Sequence, residues 1–346
     1  MLRMSRRLLI ALGGNAIKQA NEEGTTEEQF RNVATTCRQI VSLMGRLSAD
    51  SVAITHGNGP QAGNLLLQQE EALHAGVPAQ TFDVVGAMTQ GQIGYMFQQT
   101  LQNLLEDAGA ALSRTPVVSV VNQVLVSPDD PDFLDPTKPV GNFFTKEEAE
   151  KLAEEKGYVI NPKPGKEYLE KKMKGFVIKQ VKPSGSTPKP YRRVVPSPDP
   201  IKNIEGETIK MLVDQGVLVV ASGGGGIPVI MNKDGRLEGV FAVIDKDKAG
   251  ERMAEAIKAT DFLILTDIEY AMLNFGKPGQ KPIHEMTIKD AEKYLAEGHF
   301  IAGSMGPKVE ACVRFLKWGG KRAVISSLDK LIEAYDNKTG THIHSS

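Results

Sequence analysis

Two lysines stand where the first turn of a helix normally carries acidic residues. Lys246 lies in VFAVIDKDKAG, at a predicted junction between a strand and a helix. Lys308 lies in the first turn of the helix predicted by GSMGPKVEACVRF, behind Ser304 as its N-cap. A cation there is repelled by the positive end of the helix dipole, which destabilises the helix by about 0.3–1 kcal/mol. Solvated surface lysines are one explanation; an anion held between each ammonium group and the helix terminus is the other, and the glycines favour it.

Glycine-rich turns follow three of the predicted strands. They are LLIALGGNA with Gly13 and Gly14, VAITHGNGP with Gly57–Gly59, and VLVVASGGGGIP with Gly223–Gly226. Ligands of open α/β sheets bind beyond the carboxyl ends of the strands, where glycine lets backbone N–H groups reach an anion. Packing turns are the alternative, but three such turns favour a phosphate-binding cleft.

The common nucleotide signatures are missing from these turns. The chain has no G-x-x-x-x-G-K-[ST] loop. GNGPQAG (57–63) is the nearest approach to G-x-G-x-x-G, and its third glycine comes one place late. A dinucleotide-dependent dehydrogenase is therefore disfavoured.

Strands alternating with helices must position these groups. A capping box, Thr25 with Glu28, marks the start of one predicted helix. The alternation predicts a parallel or mixed sheet covered by helices on both faces. The predicted strands are 7–12, 51–55, 116–121, 217–221, 240–244, 261–266 and 322–326, and the predicted helices are 26–47, one from about 60, 84–108, 205–215, one ending at 259, 287–296 and 304–318.

Residues 125–199 break this alternation. The segment is rich in proline and lysine, as in SPDDPDFLDPTKPVG and VKPSGSTPKPYRR. A solvated insertion and a lid over a site both fit that composition.

Composition excludes several classes of protein. The chain has 346 residues, 41% of them hydrophobic and 24% charged, which is ordinary for a globular protein. A net charge of −1 argues against a nucleic-acid partner. No segment reaches the roughly 20 apolar residues of a membrane span, and Leu8–Leu12 is too short for a signal peptide. Two cysteines, Cys37 and Cys312, cannot form a disulfide framework; we interpret both as core residues of a cytoplasmic protein.

Nine stretches together resemble the carbamate kinases of the amino acid kinase superfamily. The resemblance runs in order from about Leu8 to Thr341, through ALGGNA, HGNGPQAG, DVVGAMTQGQIGYM, DPTKPVG, RRVVPSPDP, SGGGGIPVI, AVIDKDKAG, LILTDIEYA and GHFIAGSMGPKVEA. It implies a three-layer αβα sandwich with an open, mostly parallel eight-stranded sheet, formed by residues 1–124 and 200–346. It also implies a homodimer and a protruding lid subdomain, residues 125–199.

The same resemblance implies a reaction and its residues. The reaction is reversible phosphoryl transfer between ATP with Mg²⁺ and carbamate, run toward ATP in arginine breakdown. The implied catalytic set is Lys138, Lys246 and Lys308, with Asp245 orienting the lysines. The implied residues on the carbamoyl phosphate side are Gly13, Gly14, Asn15, Gly57, Asn58 and Gly59, and those on the nucleotide side are Gly223, Gly224, Gly225, Gly226, Asp267, Phe275 and Met305. The Mg²⁺ would sit on nucleotide phosphates, without protein ligands.

Two other functions stay open at this point. An acetylglutamate- or aspartate-type acyl-phosphate kinase would share the fold, although TKPVG argues against it. A nucleotide-binding sensor without activity would be expected to lose Lys246 or Lys308, and both are present. His56, in THGNGP, is interpreted as a supporting or solvent-facing residue rather than a catalytic one.

Overall fold

A large twisted sheet organises the computed structural model of the protein, which describes residues 6–19, 21–47, 51–161, 177–182, 187–300 and 303–345. The N-terminal residues 1–5 and parts of the proline- and lysine-rich segment, 162–176 and 183–186, lie outside the described residues. The helices are α1 Thr26–Met44, α2 Gly59–His74, α3 Phe82–Asp107, α4 Lys146–Lys156, α5 Gly206–Asp214, α6 Lys246–Ala256, α7 Ile288–Ala296, α8 Met305–Trp318 and α9 Leu331–Tyr335.

The strands are β1 Arg7–Leu12, β2 Ser51–His56, β3 Val117–Ser119, β4 Gln123–Val126, β5 Lys138–Phe144, β6 Val159–Ile160, β7 Val177–Gln180, β8 Tyr191–Val195, β9 Pro200–Asn203, β10 Leu218–Val220, β11 Ile227–Met231, β12 Leu237–Gly239, β13 Asp261–Thr266, β14 Ala271–Leu273, β15 Lys281–Ile283, β16 Glu285–Thr287, β17 Arg322–Ser327 and β18 Thr341–His344.

The main sheet has eight strands in the order β16-β18-β17-β13-β1-β2-β10-β3. The strands from β17 to β3 in that order are parallel; β18 runs antiparallel to β17, and β16 is parallel to β18. The predicted fold class, an open and mostly parallel eight-stranded sheet, is confirmed. Six parallel strands, β17, β13, β1, β2, β10 and β3, therefore have their carboxyl ends at one edge of the sheet.

Both faces of the sheet are covered by helices. Side chains alternate between the two faces along each strand, so an apolar strand exposes apolar side chains on both faces, and both must be buried. On β1, Leu8, Ile10 and Leu12 pack with α1, α3 and α9. Leu9 and Ala11 pack in the other core, with α5, α6 and α8. The continuous apolar run of β1 is thus the signature of a strand buried on both sides.

One predicted strand is wrong. Residues 240–244 bend at Phe241 and join no ladder. Val240 N–H donates to Pro228 O, Ala242 N–H donates to Val240 O, and Val243 N–H donates to Pro196 O. Ala242 and Ile244 pack into one small core, whereas Phe241 and Val243 pack against another. The apolar pattern therefore reports a segment buried from two sides rather than a paired strand.

The described residues form three smaller sheets besides the main one, and the smallest of them is the antiparallel pair β14-β15. Strands β12-β11-β4-β9 form the first, and β5-β8-β7-β6 form the second. The second sheet carries α4 and has its own small core around Ala149, Tyr158 and Ile178. It falls inside the predicted lid, residues 125–199, and we call it the small subdomain. Within the described residues, no helix is long and apolar enough to cross a membrane.

Burial of Glu251 in α6 predicts that the stability of the fold depends on pH. Burial raises the pKa of its carboxyl from 4.5 to about 8, although Arg314 Nε lies 3.1 Å away. Between these pH values the folded chain keeps a proton that the unfolded chain releases. The free energy of unfolding should therefore fall with rising pH, by about 1.4 kcal/mol per unit for one proton. Urea unfolding from pH 5 to 8 should show this slope, and Glu251→Gln should flatten it; an unchanged slope would assign it to other groups.

Candidate active site

The turns after β1 and β2 meet at the carboxyl edge of the main sheet. Gly13 N–H donates to Leu265 O at 2.8 Å, and Gly57 N–H donates to Leu12 O at 3.0 Å, so both turns extend the ladders. A Cβ on Gly57 would lie 3.3 Å from the Gly14 nitrogen and 3.2 Å from Cδ of Lys246. The β1 turn, the β2 turn and a predicted catalytic lysine are therefore in contact.

Helix α2 starts directly from this junction. It begins at Gly59, and its N-terminus carries no side-chain cap. The Asn58 side chain is engaged elsewhere, donating to Thr89 Oγ1 at 2.8 Å. Backbone N–H groups of the first turn of α2 thus face the same region, as anion-binding helix termini do.

The four-glycine turn after β10 is tightly packed against protein atoms. A Cβ on any residue of Gly223–Gly226 would come within 2.1–2.5 Å of a neighbour: the His56 ring, the Asn58 amide, the Ile244 carbonyl oxygen and the Val124 side chain, in that order. Three of the four glycines also have positive φ angles, from 65° to 94°. The turn therefore needs glycine for its own packing, whatever ligand it contacts.

Three lysines converge on two aspartates. Lys138 Nζ donates to Asp245 Oδ2 at 2.6 Å. Lys246 Nζ donates to Asp247 Oδ1 at 2.6 Å, and Lys308 Nζ donates to the other oxygen of the same carboxylate at 3.0 Å. The structure thus brings together all four residues of the predicted catalytic set, contributed by β5, the start of α6 and the start of α8.

Burial and ion pairing set the charges of this cluster. Burial alone would raise the pKa of Asp245, but Lys138 and Lys246 outweigh it and hold that pKa well below the usual range. Burial lowers the pKa of Lys246, and nearby Lys308 adds to the effect. For Lys308 the attraction of Asp247 outweighs burial, so its pKa is raised. The cluster holds three cations against two carboxylates, which leaves net positive charge for an anion.

The two helix starts differ in how they are capped. Asp245 is the N-cap of α6, and its Oδ1 accepts hydrogen bonds from the N–H groups of Asp247 at 2.9 Å and Lys248 at 3.4 Å. Ser304 is the N-cap residue of α8, as predicted, but its side chain makes no capping hydrogen bond. Instead, Ser304 O accepts from Lys308 Nζ at 3.3 Å, which turns the ammonium group back over the helix start.

Asp247 is the site residue that sequence reasoning missed. It is 2% exposed and joins Lys246 to Lys308. An aspartate in the first turn of a helix already has an ordinary explanation in the helix dipole. The available signal was the alternation DKDK itself, which places the Asp247 carboxylate between two lysines.

The three predicted nucleotide residues other than the glycines line two different cavities. Phe275 and Met305 line an apolar one together with Ile268, Met272, His299, Phe300 and Ser304. Asp267 instead lines a polar cavity of about 300 Å³ between the sheet edge and α1, which also contains Asn15. Phe275 and Met305 are thus brought together, and Asp267 is not with them.

His56 and the two cysteines are buried. His56 is 2% exposed, so the solvent-facing alternative is wrong. Burial lowers its pKa to about 4, and its Nδ1–H donates to Gly57 O at 2.9 Å. Cys37 and Cys312 are fully buried, and burial raises the pKa of both thiols, which confirms them as core residues.

Comparison with known proteins agrees with this geometry. The sequence profile of the Amino acid kinase family matches residues 6–327. A carbamate kinase of Pyrococcus furiosus is 47% identical over 98% of this chain and 99% of its own length, and one of Clostridium perfringens is 42% identical over 97% and 99%. A solved structure, carbamate kinase from Giardia lamblia bound to AMP-PNP, superposes with a TM-score of 0.84 at 36% identity, covering 99% of both chains. The relatives named here match the chain over nearly their full length and are carbamate kinases. The chain belongs to the amino acid kinase family.

Proposed function

We propose that this protein is a carbamate kinase, which transfers a phosphoryl group reversibly between ATP and carbamate. The observation that carries the proposal is the cluster of three lysines on two carboxylates at the glycine-rich edge of the sheet. The similarity to carbamate kinases, 42–47% identity over nearly the full length of the chain, supports carbamate as the substrate. An acetylglutamate- or aspartate-type acyl-phosphate kinase is correspondingly disfavoured.

The chemistry needs charge neutralisation more than proton transfer. Carbamate is already an anion at neutral pH, so its oxygen attacks the γ-phosphorus without a general base. The obstacle is repulsion between two anions, and catalysis of phosphoryl transfer consists mainly of positioning and electrostatic stabilisation. We assign Lys138, Lys246 and Lys308 to the transferring phosphoryl group, while Asp245 and Asp247 hold the ammonium groups in place.

We keep the division of the site into a carbamate side and a nucleotide side as part of the proposal. The turns at Gly13–Asn15 and Gly57–Gly59 would hold carbamate or carbamoyl phosphate beside Lys246. Phe275 and Met305 would pack against the adenine ring, and Gly223–Gly226 and Asp267 would lie along the rest of the nucleotide. For the glycine turn, packing against protein is a second requirement beside any phosphate contact.

Magnesium would enter as part of the nucleotide substrate. Among the described residues, no group of three or more histidine, cysteine, aspartate or glutamate side chains could hold a metal ion. Asp245 and Asp247 are already engaged with lysines. The donor set therefore fits an ion held mainly by phosphate oxygens, as is usual for Mg²⁺ in phosphoryl transfer.

Three wider predictions belong to the same proposal. Residues 125–199 would act as a lid that carries Lys138. The chain would form a homodimer through α3, which exposes Val84, Met88 and Tyr95. The cytoplasm remains the proposed location, supported by two free, buried cysteines.

His56→Ala should keep most of the turnover. The ring is neutral above about pH 4 and hydrogen bonds to backbone, so it has no proton to exchange with substrate. The variant should lose stability by about 2 kcal/mol, since the ring packs against Gly223. Steady-state kinetics and thermal unfolding of the same preparation measure both effects; a large loss of kcat in a folded variant would return His56 to the chemistry.

The function itself is tested by ATP formation from ADP and Mg²⁺ with carbamoyl, acetyl and aspartyl phosphates side by side. We expect carbamoyl phosphate to be strongly preferred. Preference for either of the other two would refute carbamate as the substrate, while the assignment of the fold would stand. No activity with any of the three would favour a nucleotide-binding sensor.

A further inference from the structure

One carboxylate of α2, that of Glu70, accepts four hydrogen bonds from three residues of the small subdomain. Glu70 Oε2 accepts from Arg193 Nη2 at 2.9 Å and from Lys156 Nζ at 3.1 Å. Its Oε1 accepts from the other guanidinium nitrogen of Arg193 and, at 3.3 Å, from the Tyr158 hydroxyl. The Arg193 pair is bidentate, which fixes orientation as well as distance.

The ion pair between Glu70 and Arg193 is buried and fixed by its surroundings, unlike an ion pair on the surface. Arg193 is 3% exposed, and its guanidinium lies over the rings of Phe144 and Tyr158. Burial would raise the pKa of Glu70, but Arg193 and Lys156 outweigh it and the pKa is lowered, so the carboxylate stays charged. A buried pair of this kind tolerates little displacement of either partner.

The same face of α2 receives strand β5. Gly63, Leu66 and Glu70 recur at helical spacing along that face. A Cβ on Gly63 would lie 3.1 Å from the Cα of Gly141 in β5, so any larger residue there would have to push the two backbones apart by a few tenths of an ångström. Leu66 packs with Val195 of β8 in a shared core. Helix α2 begins at Gly59, the last residue of the turn after β2. The same helix therefore packs against both β5 and β8.

The register connects helix α2 to Lys138. In the antiparallel pair β5–β8, Arg193 lies opposite Val140, and Lys138 lies opposite Val195. Arg193 is therefore two residues along the ladder from the strand end that bears Lys138. From there Lys138 Nζ reaches across to Asp245.

We propose that Glu70 is a positioning residue for Lys138, acting through Arg193 and the β5–β8 ladder; this rests on the proposed function. The hydrogen bonds between Glu70 and Arg193 fix the position of β8, and the β5–β8 ladder passes this constraint to the start of β5. The Lys138 ammonium group is therefore already in place when the phosphoryl group transfers. A displacement of about 1 Å in such a group is enough to cost a large factor in rate.

Glu70→Gln tests this, because glutamine keeps the shape and one acceptor but removes the charge that holds Arg193. We expect kcat for ATP formation to fall about tenfold, with the Kd for ADP unchanged by calorimetry. In a Lys138→Ala background the same change should cost nothing further, because the group that it positions is gone. The neighbouring, exposed Glu71→Gln is the matched control and should behave as the parent does.

Amide exchange of residues 138–144 supplies a readout besides activity, and should become faster in Glu70→Gln but not in Glu71→Gln. Arg193→Lys, which keeps the charge and loses the bidentate geometry, should reproduce the kinetic effect if Glu70→Gln folds poorly. Equal losses from Glu70→Gln in the parent and Lys138→Ala backgrounds, or unchanged kcat in both folded variants, would overturn the proposal. A parent enzyme inactive with carbamoyl phosphate would instead refute the proposed function and leave the exchange result standing.

Discussion

Lys308→Ala is expected to lower kcat by about a hundredfold or more, the usual cost of removing one preorganised contact to developing charge. Lys308 stands at the start of α8 and reaches the site through Asp247, with Nζ 3.0 Å from its carboxylate. Attraction to that carboxylate raises the pKa of Lys308 against the effect of burial, so the ammonium form persists through the neutral range. Its charge is therefore present when the phosphoryl group transfers.

Stability should change little in the same variant. Deleting one member of a buried ion pair is costly when it leaves the other charge unpaired, but Asp247 keeps Lys246 at 2.6 Å. We expect a shift in Tm below about 1.5 °C, equivalent to roughly 1 kcal/mol for a chain of 346 residues. Lys317→Ala, on the exposed side of the same helix, is the control for a lost lysine. Near-normal turnover in Lys308→Ala would show that the helix start binds no reacting anion.

The main sheet was predictable because its strands are buried on both faces. Runs such as 7–12 and 261–266 became β1 and β13 at the predicted bounds, and the capping box of Thr25 and Glu28 starts α1 as expected. The run 240–244 is equally apolar and failed, because hydrophobic pattern measures burial and says nothing about the backbone partner. Its N–H groups find single carbonyl oxygens instead of a neighbouring strand.

The site was predictable where a residue broke a local rule. Lysines at helix starts and four consecutive glycines each conflict with local propensity, and both lie at the sheet edge where the turns converge. Asp247 obeys its local rule, so its only mark in the sequence is its place between two lysines in DKDK. The glycine turn shows the complementary limit: the sequence indicates a close approach, but not that His56, Asn58 and Ile244 are what approaches.

Asp247→Asn should have the largest effect, because it removes the one carboxylate shared by Lys246 and Lys308. The amide has nearly the same shape, yet it cannot neutralise two ammonium groups held close together in a buried site. Both lysines then repel each other and lose their anchor. We expect kcat to fall about a thousandfold, the upper end of what one electrostatic contact contributes.

The pH profile separates this explanation from simple misfolding. Burial already lowers the pKa of Lys246, and Asp247 is the largest influence opposing it. Without that carboxylate the pKa of Lys246 falls further, and that of Lys308 falls with it. Because the protonated lysines carry the positive charge, activity in Asp247→Asn should be lost on the alkaline side at a lower pH than in the parent. Asp234→Asn, an exposed aspartate on the turn between β11 and β12, should leave both kcat and the alkaline limb where they are. An unshifted alkaline limb with kcat reduced would mean that Asp247 supports the local fold while the charge of the two lysines is set by other groups.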